Sequence, residues 1–109
     1  MKKKKKILIL GGSGFIGNAL YKELCNYFDT YGTYFSNASF RDNGQFFNYD
    51  LQEDDPFQLL EKIRPDYIIS ALRGDFTAQV QAHIHILEYV AKHKVKLYFI
   101  SSANVFDAY

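Results

Sequence analysis

Residues 11–17 read Gly-Gly-Ser-Gly-Phe-Ile-Gly, and they separate two stretches of different periodicity. Before them, Ile7-Leu8-Ile9-Leu10 is an unbroken apolar run, the pattern of a strand covered on both faces. After them, Ile16, Leu20, Leu24 and then Tyr27 or Phe28 recur at helical spacing. A strand that enters a helix through glycines at 11, 14 and 17 has few architectures open to it. Gly11 permits a tight turn, and Gly14 lets the backbone approach a bound group with no Cβ in the way. Gly17 lets helix and strand pack closely. The start of the helix then offers free N–H groups and a partial positive charge, a ready site for phosphate oxygens.

The rest of the chain keeps the alternation. Tyr31 to Phe35 is aromatic and β-branched and predicts a second strand. Ser36, Asn37, Asp42, Asn43 and Gly44 mark residues 36–45 as a polar loop, and Phe46 to Tyr49 follows as a short third strand. Asp55-Pro56 reads as an N-cap with proline at the first helical position. That helix carries Phe57, Leu60 and Ile63 on one face and ends before Pro65. Tyr67-Ile68-Ile69 predicts a fourth strand, and Leu97 to Ser101 a fifth. Between them Phe76 to His93 is the longest helix, with Val80, Ile84, Leu87 and Ala91 as its expected buried stripe. The pattern predicts a Rossmann-like α/β three-layer sandwich, with about five parallel strands in the order 3-2-1-4-5 and helices on both faces.

The chain has 109 residues, which predicts a single domain. Its hydrophobic fraction of 48% argues against intrinsic disorder, and its net charge of +1 leaves no overall field to attract nucleic acid. Lys2 to Lys6 followed by four apolar residues imitates the start of a signal peptide. The apolar run is shorter than the roughly 7–15 residues that such a segment needs. These lysines therefore read as a solvated entry to the first strand, with a nucleic-acid tail as the weaker alternative. No apolar run approaches the ~18 residues of a membrane-spanning helix, and a cytoplasmic location is expected. The single cysteine, Cys25, excludes an internal disulfide and is expected to be a buried, unreactive thiol beside Leu24. His83 and His85 lie about 200° apart around a helix, so no shared metal ion is expected. Asp54 and Asp55 read as helix-capping residues rather than a catalytic pair.

Ile9-Leu10-Gly11-Gly12-Ser13-Gly14-Phe15-Ile16-Gly17 resembles the opening of the extended short-chain dehydrogenase/reductases, the NAD(P)-dependent epimerase/dehydratase family. The resemblance implies that Gly11, Gly14, Phe15, Ile16 and Gly17 hold the pyrophosphate of a dinucleotide. Asp50-Leu51 resembles the pair that contacts adenine after the family's third strand. Arg64-Pro65-Asp66-Tyr67-Ile68-Ile69-Ser70-Ala71 resembles the fourth strand, whose end, here Ala71, borders the cofactor ribose. Ile100-Ser101-Ser102-Ala103-Asn104-Val105-Phe106-Asp107 resembles the fifth strand with its catalytic Ser/Thr, which implies that role for Ser102. Val105-Phe106-Asp107, with Gly32-Thr33-Tyr34-Phe35-Ser36, leans toward the branch containing dTDP-4-dehydrorhamnose reductase.

Four departures stand out. Leu10 replaces a common Thr, Gln79 lies where an Asn is usual, and Ser70-Ala71-Leu72-Arg73 lacks an alanine-rich run. The chain also contains no Tyr-x-x-x-Lys; Tyr89 has His93 in the lysine position and reads as a packing residue.

The second strand ends Tyr34-Phe35-Ser36-Asn37 without the carboxylate that would bind a ribose 2′-hydroxyl. Ser36 and Arg41 are therefore expected near a 2′-phosphate, giving NADP as the expected cofactor and NAD as the alternative. The resemblance implies the NAD(P)-binding domain of a nucleotide-sugar reductase, epimerase or dehydratase. Hydride transfer would belong to the complete enzyme, with the substrate-binding portion outside these residues. These residues alone are expected not to turn over a nucleotide sugar, because the acid/base Tyr and its Lys are missing. The alternative is a stand-alone, non-catalytic dinucleotide-binding or regulatory module. The sequence gives no oligomeric state.

Overall fold

The computed structural model describes residues 4–12, 15–34, 44–50, 54–71 and 76–100. β1 (Lys6–Leu10), β2 (Asp29–Tyr34), β3 (Phe46–Asn48), β4 (Tyr67–Ser70) and β5 (Lys96–Phe99) form one five-stranded sheet in the order β3-β2-β1-β4-β5. Every neighbouring pair is parallel. β1 is central, pairing Leu8 with Tyr31 on one side and with Ile68 on the other. Its residues Ile7 to Leu10 are at most 4% exposed, as an apolar run in a two-sided sheet requires. The predicted strand order and fold class are those found.

Alternation along the strands separates two packing layers. Leu8, Leu10, Tyr49 and Ile68 join Leu59, Leu60 and Ile63 of α2 (Pro56–Ile63) in one core. The same core takes in Ile86 and Tyr89 of α3 (Phe76–His93). Phe46 points the other way, with its ring 4.7 Å from that of Tyr21 on α1 (Phe15–Leu24). Phe28, just beyond α1, sets its edge against Tyr67 at 6.1 Å, while Tyr27 is exposed. α2 begins as its sequence directs: the Asp55 side chain accepts a hydrogen bond from the Phe57 N–H at 2.9 Å, and Pro56 follows the cap. It ends at Arg64, which takes a left-handed conformation (φ 54°) and donates its N–H to the Leu60 carbonyl.

Strand limits differ slightly from the sequence reading. β2 starts two residues before Tyr31, at Asp29, because the Asp29 N–H donates to the Lys5 carbonyl and Gln45 bonds the Asp29 carboxylate. Phe35 and Ser101 lie outside the described residues.

Two sequence expectations fail here. Val80, Ile84 and Leu87 are 42%, 50% and 54% exposed, and Ala91 is exposed too. The buried stripe of α3 is instead Ala82, Ile86 and Tyr89, flanked by half-buried Gln79, His83 and Val90. α3 carries apolar residues on two faces, and the face that meets α2 and the sheet includes a Tyr and a His that a hydropathy pattern discounts. Cys25 is also exposed, because it lies just past the last residue of α1, where its thiol donates to the Lys22 carbonyl at 3.2 Å. Among the described residues, no helix is long and apolar enough to cross a membrane.

The corrected stripe makes a direct prediction. Ile86→Ala should cost about 2–5 kcal/mol in urea unfolding, and Ile84→Gln, one helical face away, should stay within about 0.5 kcal/mol of wild type. Equal losses at the two positions would contradict this packing.

Candidate functional site at the carboxyl edge of the sheet

A parallel sheet gathers all of its strand ends on one edge. Gly11 and Gly12 follow β1, Tyr49 and Asp50 follow β3, Ala71 follows β4 and Ile100 follows β5. Strand order reverses between β1 and β4, and a crevice outside the carboxyl ends at such a reversal is where open α/β sheets bind ligands. Here the two strands are held together beyond their last residues by the Ala71 N–H, which donates to the Leu10 carbonyl at 2.8 Å.

The glycine turn is built on close backbone contact. Gly11 has φ 82°, a left-handed conformation that glycine adopts without strain. A Cβ at Gly17 would run into the Gly11 carbonyl oxygen and come within 2.9 Å of Gly12 Cα. α1 therefore starts in contact with the end of β1, and Gly17 keeps it there. The Gly11 N–H donates to Thr33 Oγ1 at 2.7 Å, from a threonine only 2% exposed on β2. The sequence reading missed Thr33, since a threonine within a strand ordinarily signals only β propensity. Gly11, Gly12 and Gly17 bring no Cβ to the start of the helix, and bare backbone of this kind beside a helix N-terminus is a cradle that fits a pyrophosphate.

The other sequence-selected residues divide. Ile16 and Gly17 lie in the first turns of α1, half-buried and buried respectively, and Phe15 is its first residue. Asp50 and Ala71 stand at the same edge, both half-buried. Gly14, Ser36, Arg41, Leu51 and Ser102 lie outside the described residues.

The expectation that Asp54 caps a helix fails: its carboxylate accepts from the Asp50 N–H at 2.7 Å, and its own N–H donates to the Asp50 carbonyl. Asp54 thus bonds a residue that follows β3, whereas Asp55 caps α2. Tyr49 is 4% exposed, and among the described residues its hydroxyl has no hydrogen-bond partner. Burial first, then the carboxylates of Asp54, Asp55 and Asp50, push that hydroxyl up to about 12. His83 and His85 go separate ways, His83 onto Ser70 and His85 edge-on to Phe57 at 5.6 Å. Tyr89 packs as expected, in the core, with its hydroxyl on the Leu60 carbonyl.

Comparison with known proteins identifies the family. The sequence profile of the NAD dependent epimerase/dehydratase family matches residues 7–109. The chain belongs to that family. No curated protein sequence matches this epimerase/dehydratase-family chain. Solved structures share its fold at low identity. An epimerase from Methanothermobacter thermautotrophicus superposes with a TM-score of 0.75 at 21% identity, covering 92% of this chain and 36% of that protein. A UDP-glucose-4-epimerase from Stenotrophomonas maltophila, solved with NAD bound, gives 0.67 at 22% identity, covering 94% and 38%. An L-threonine dehydrogenase from Clostridium difficile gives 0.66 at 24% identity, covering 93% and 37%. The epimerase/dehydratase-family chain thus spans little more than a third of the length of these proteins.

The contact between Gly11 and Thr33 is open to test. Thr33→Val keeps the shape but leaves the Gly11 N–H without its acceptor, and should cost about 1–3 kcal/mol in urea unfolding. Thr33→Ser should retain most of the stability. A valine variant as stable as wild type would show that the bond does not hold the turn.

Proposed function

We propose that this chain is the dinucleotide-binding part of a nicotinamide-dependent epimerase, dehydratase or reductase acting on a nucleotide sugar. The observation that carries the reading is the glycine turn at the β1/β4 crevice, where backbone contact leaves room for no side chain at Gly17. Gly11, Gly14 and Gly17, with Phe15 and Ile16 at the start of α1, would hold the pyrophosphate. Asp50 and Leu51 would take the adenine side, Ala71 the ribose on the far side, and Ser102 would donate a hydrogen bond toward a substrate oxygen. The bound nicotinamide would supply reversible hydride exchange with a sugar carbon.

NADP is the favoured form on this reading. Tyr34-Phe35-Ser36-Asn37 carries no carboxylate to repel a 2′-phosphate, and Arg41 follows within reach in sequence. The nucleotide-sugar substrate, and a place near the dTDP-4-dehydrorhamnose reductase branch, rest on the sequence resemblance around Gly32–Ser36 and Val105–Asp107.

Calorimetric titration of the folded chain with NAD⁺ and NADP⁺ tests the reading. Saturable binding is expected, tighter for NADP⁺ and lost in Gly14→Val, whose branched side chain would stand where the pyrophosphate must approach. Arg41→Ala should bring the two affinities together. No binding of either dinucleotide by folded protein would refute the proposal.

A further inference from the structure

The glycine turn does not account for a second polar arrangement at the same edge. Ser70 closes β4, is 1% exposed, and stands in register with Leu10 where the strand order reverses. Its backbone oxygen accepts from the Ile100 N–H at 2.9 Å, so its position is fixed by β5 as well as by β1. Ser70 Oγ lies 2.6 Å from His83 Nε2, and His83 Nδ1 lies 2.7 Å from the carbonyl oxygen of Gln79. A carbonyl oxygen can only accept, so Nδ1 carries the proton. In the neutral ring Nε2 is then the acceptor, and the Ser70 hydroxyl donates to it. The relay Ser70 to His83 to Gln79 thus ties an early turn of α3 to the last residue of β4.

Its place on the sheet gives the relay a task. A dinucleotide with its pyrophosphate at the end of β1 must send one nucleoside over β2 and β3 and the other over β4 and β5. Asp50 follows β3 on the first side, and Ser70 ends β4 on the second. We propose that Ser70 and His83 are a positioning pair, holding the β4 end and the start of α3 in register for the nucleoside on the β4 side. The proposal rests on the dinucleotide-binding reading above. The pair touches no reacting atom; it acts through the backbone that it fixes.

The test compares two probes on the full chain, the dinucleotide that binds tighter and ADP, which has no second nucleoside. Ser70→Ala and His83→Leu should each weaken the dinucleotide roughly tenfold, the worth of one well-placed hydrogen bond. ADP affinity should stay within about twofold, because its contacts lie on the other side of β1. His83→Gln, whose amide oxygen can still accept from Ser70, should restore most of the dinucleotide affinity even if Ser70→Ala folds poorly. Nitrogen-15 spectra of the wild-type imidazole should show a protonated Nδ1 and an accepting Nε2. Wild type binding both probes, with variants that lose both equally or neither, would overturn the positioning role alone. Wild type binding neither probe would overturn the dinucleotide reading, and this proposal with it.

Discussion

The contact between the Gly17 backbone and the Gly11 carbonyl is the constraint from which the rest of the fold is arranged. No Cβ fits between them, so the first turn of α1 lies directly against the two residues that follow β1. The consequence spreads sideways. A Cβ on Gly12 would come 3.0 Å from Gly32 Cα, and one on Gly32 would come 2.6 Å from the Phe46 ring. Turn, β2 and β3 are therefore fitted to one another through positions without side chains. Any larger residue there must move backbone or a packed ring, and close-packed interiors yield little.

Buried polar groups are few among the described residues, and two of them, Thr33 and Ser70, lie at the carboxyl ends of their strands. Apart from the hydroxyls of the core tyrosines, the buried polar side chains are Thr30, Thr33 and Ser70, each at most 2% exposed. Thr30 bonds the Phe28 carbonyl locally, whereas Thr33 receives the Gly11 N–H and Ser70 shares a hydrogen bond with His83. The last two link separate elements, β2 to the glycine turn and β4 to α3. A buried hydrogen bond contributes modestly when made and costs more when broken, so such links fix geometry more than they add stability. The carboxyl edge is in this way held by polar side chains, while the middle of the sheet is held by Leu8, Ile9 and Ile68.

How much of this was legible in the sequence depended on how local the cause was. Asp55-Pro56 and Pro65 bound α2 through their own backbone preferences, and both limits were readable. The apolar run at β1 and the glycine spacing were equally local; the strand–helix alternation pointed to the parallel sheet, and the glycine segment opened the family resemblance. The stripe of α3 was not readable, since Val80, Ile84 and Leu87 show the stronger apolar periodicity and yet face outward. Which face is covered depends on α2 and the sheet, far away in sequence. Thr33 and the Ser70–His83 pair were invisible for the same reason, because the partners of Thr33 and Ser70 lie 22 and 13 residues away; Asp54 was misread locally, as a cap, although it bonds Asp50.

Selective nitrogen-15 labelling of glycine gives the most direct measurement of the central claim, that the glycine turn at the β1/β4 crevice receives a dinucleotide. The chain has seven glycines, at 11, 12, 14, 17, 32, 44 and 74, so the amide spectrum is small enough to assign completely. Titration with NADP⁺ should shift Gly11, Gly12, Gly14 and Gly17 strongly and leave Gly44, in the turn before β3, unmoved. Shifts confined to glycines outside 11–17, or no shift at saturating NADP⁺ and NAD⁺, would contradict the account.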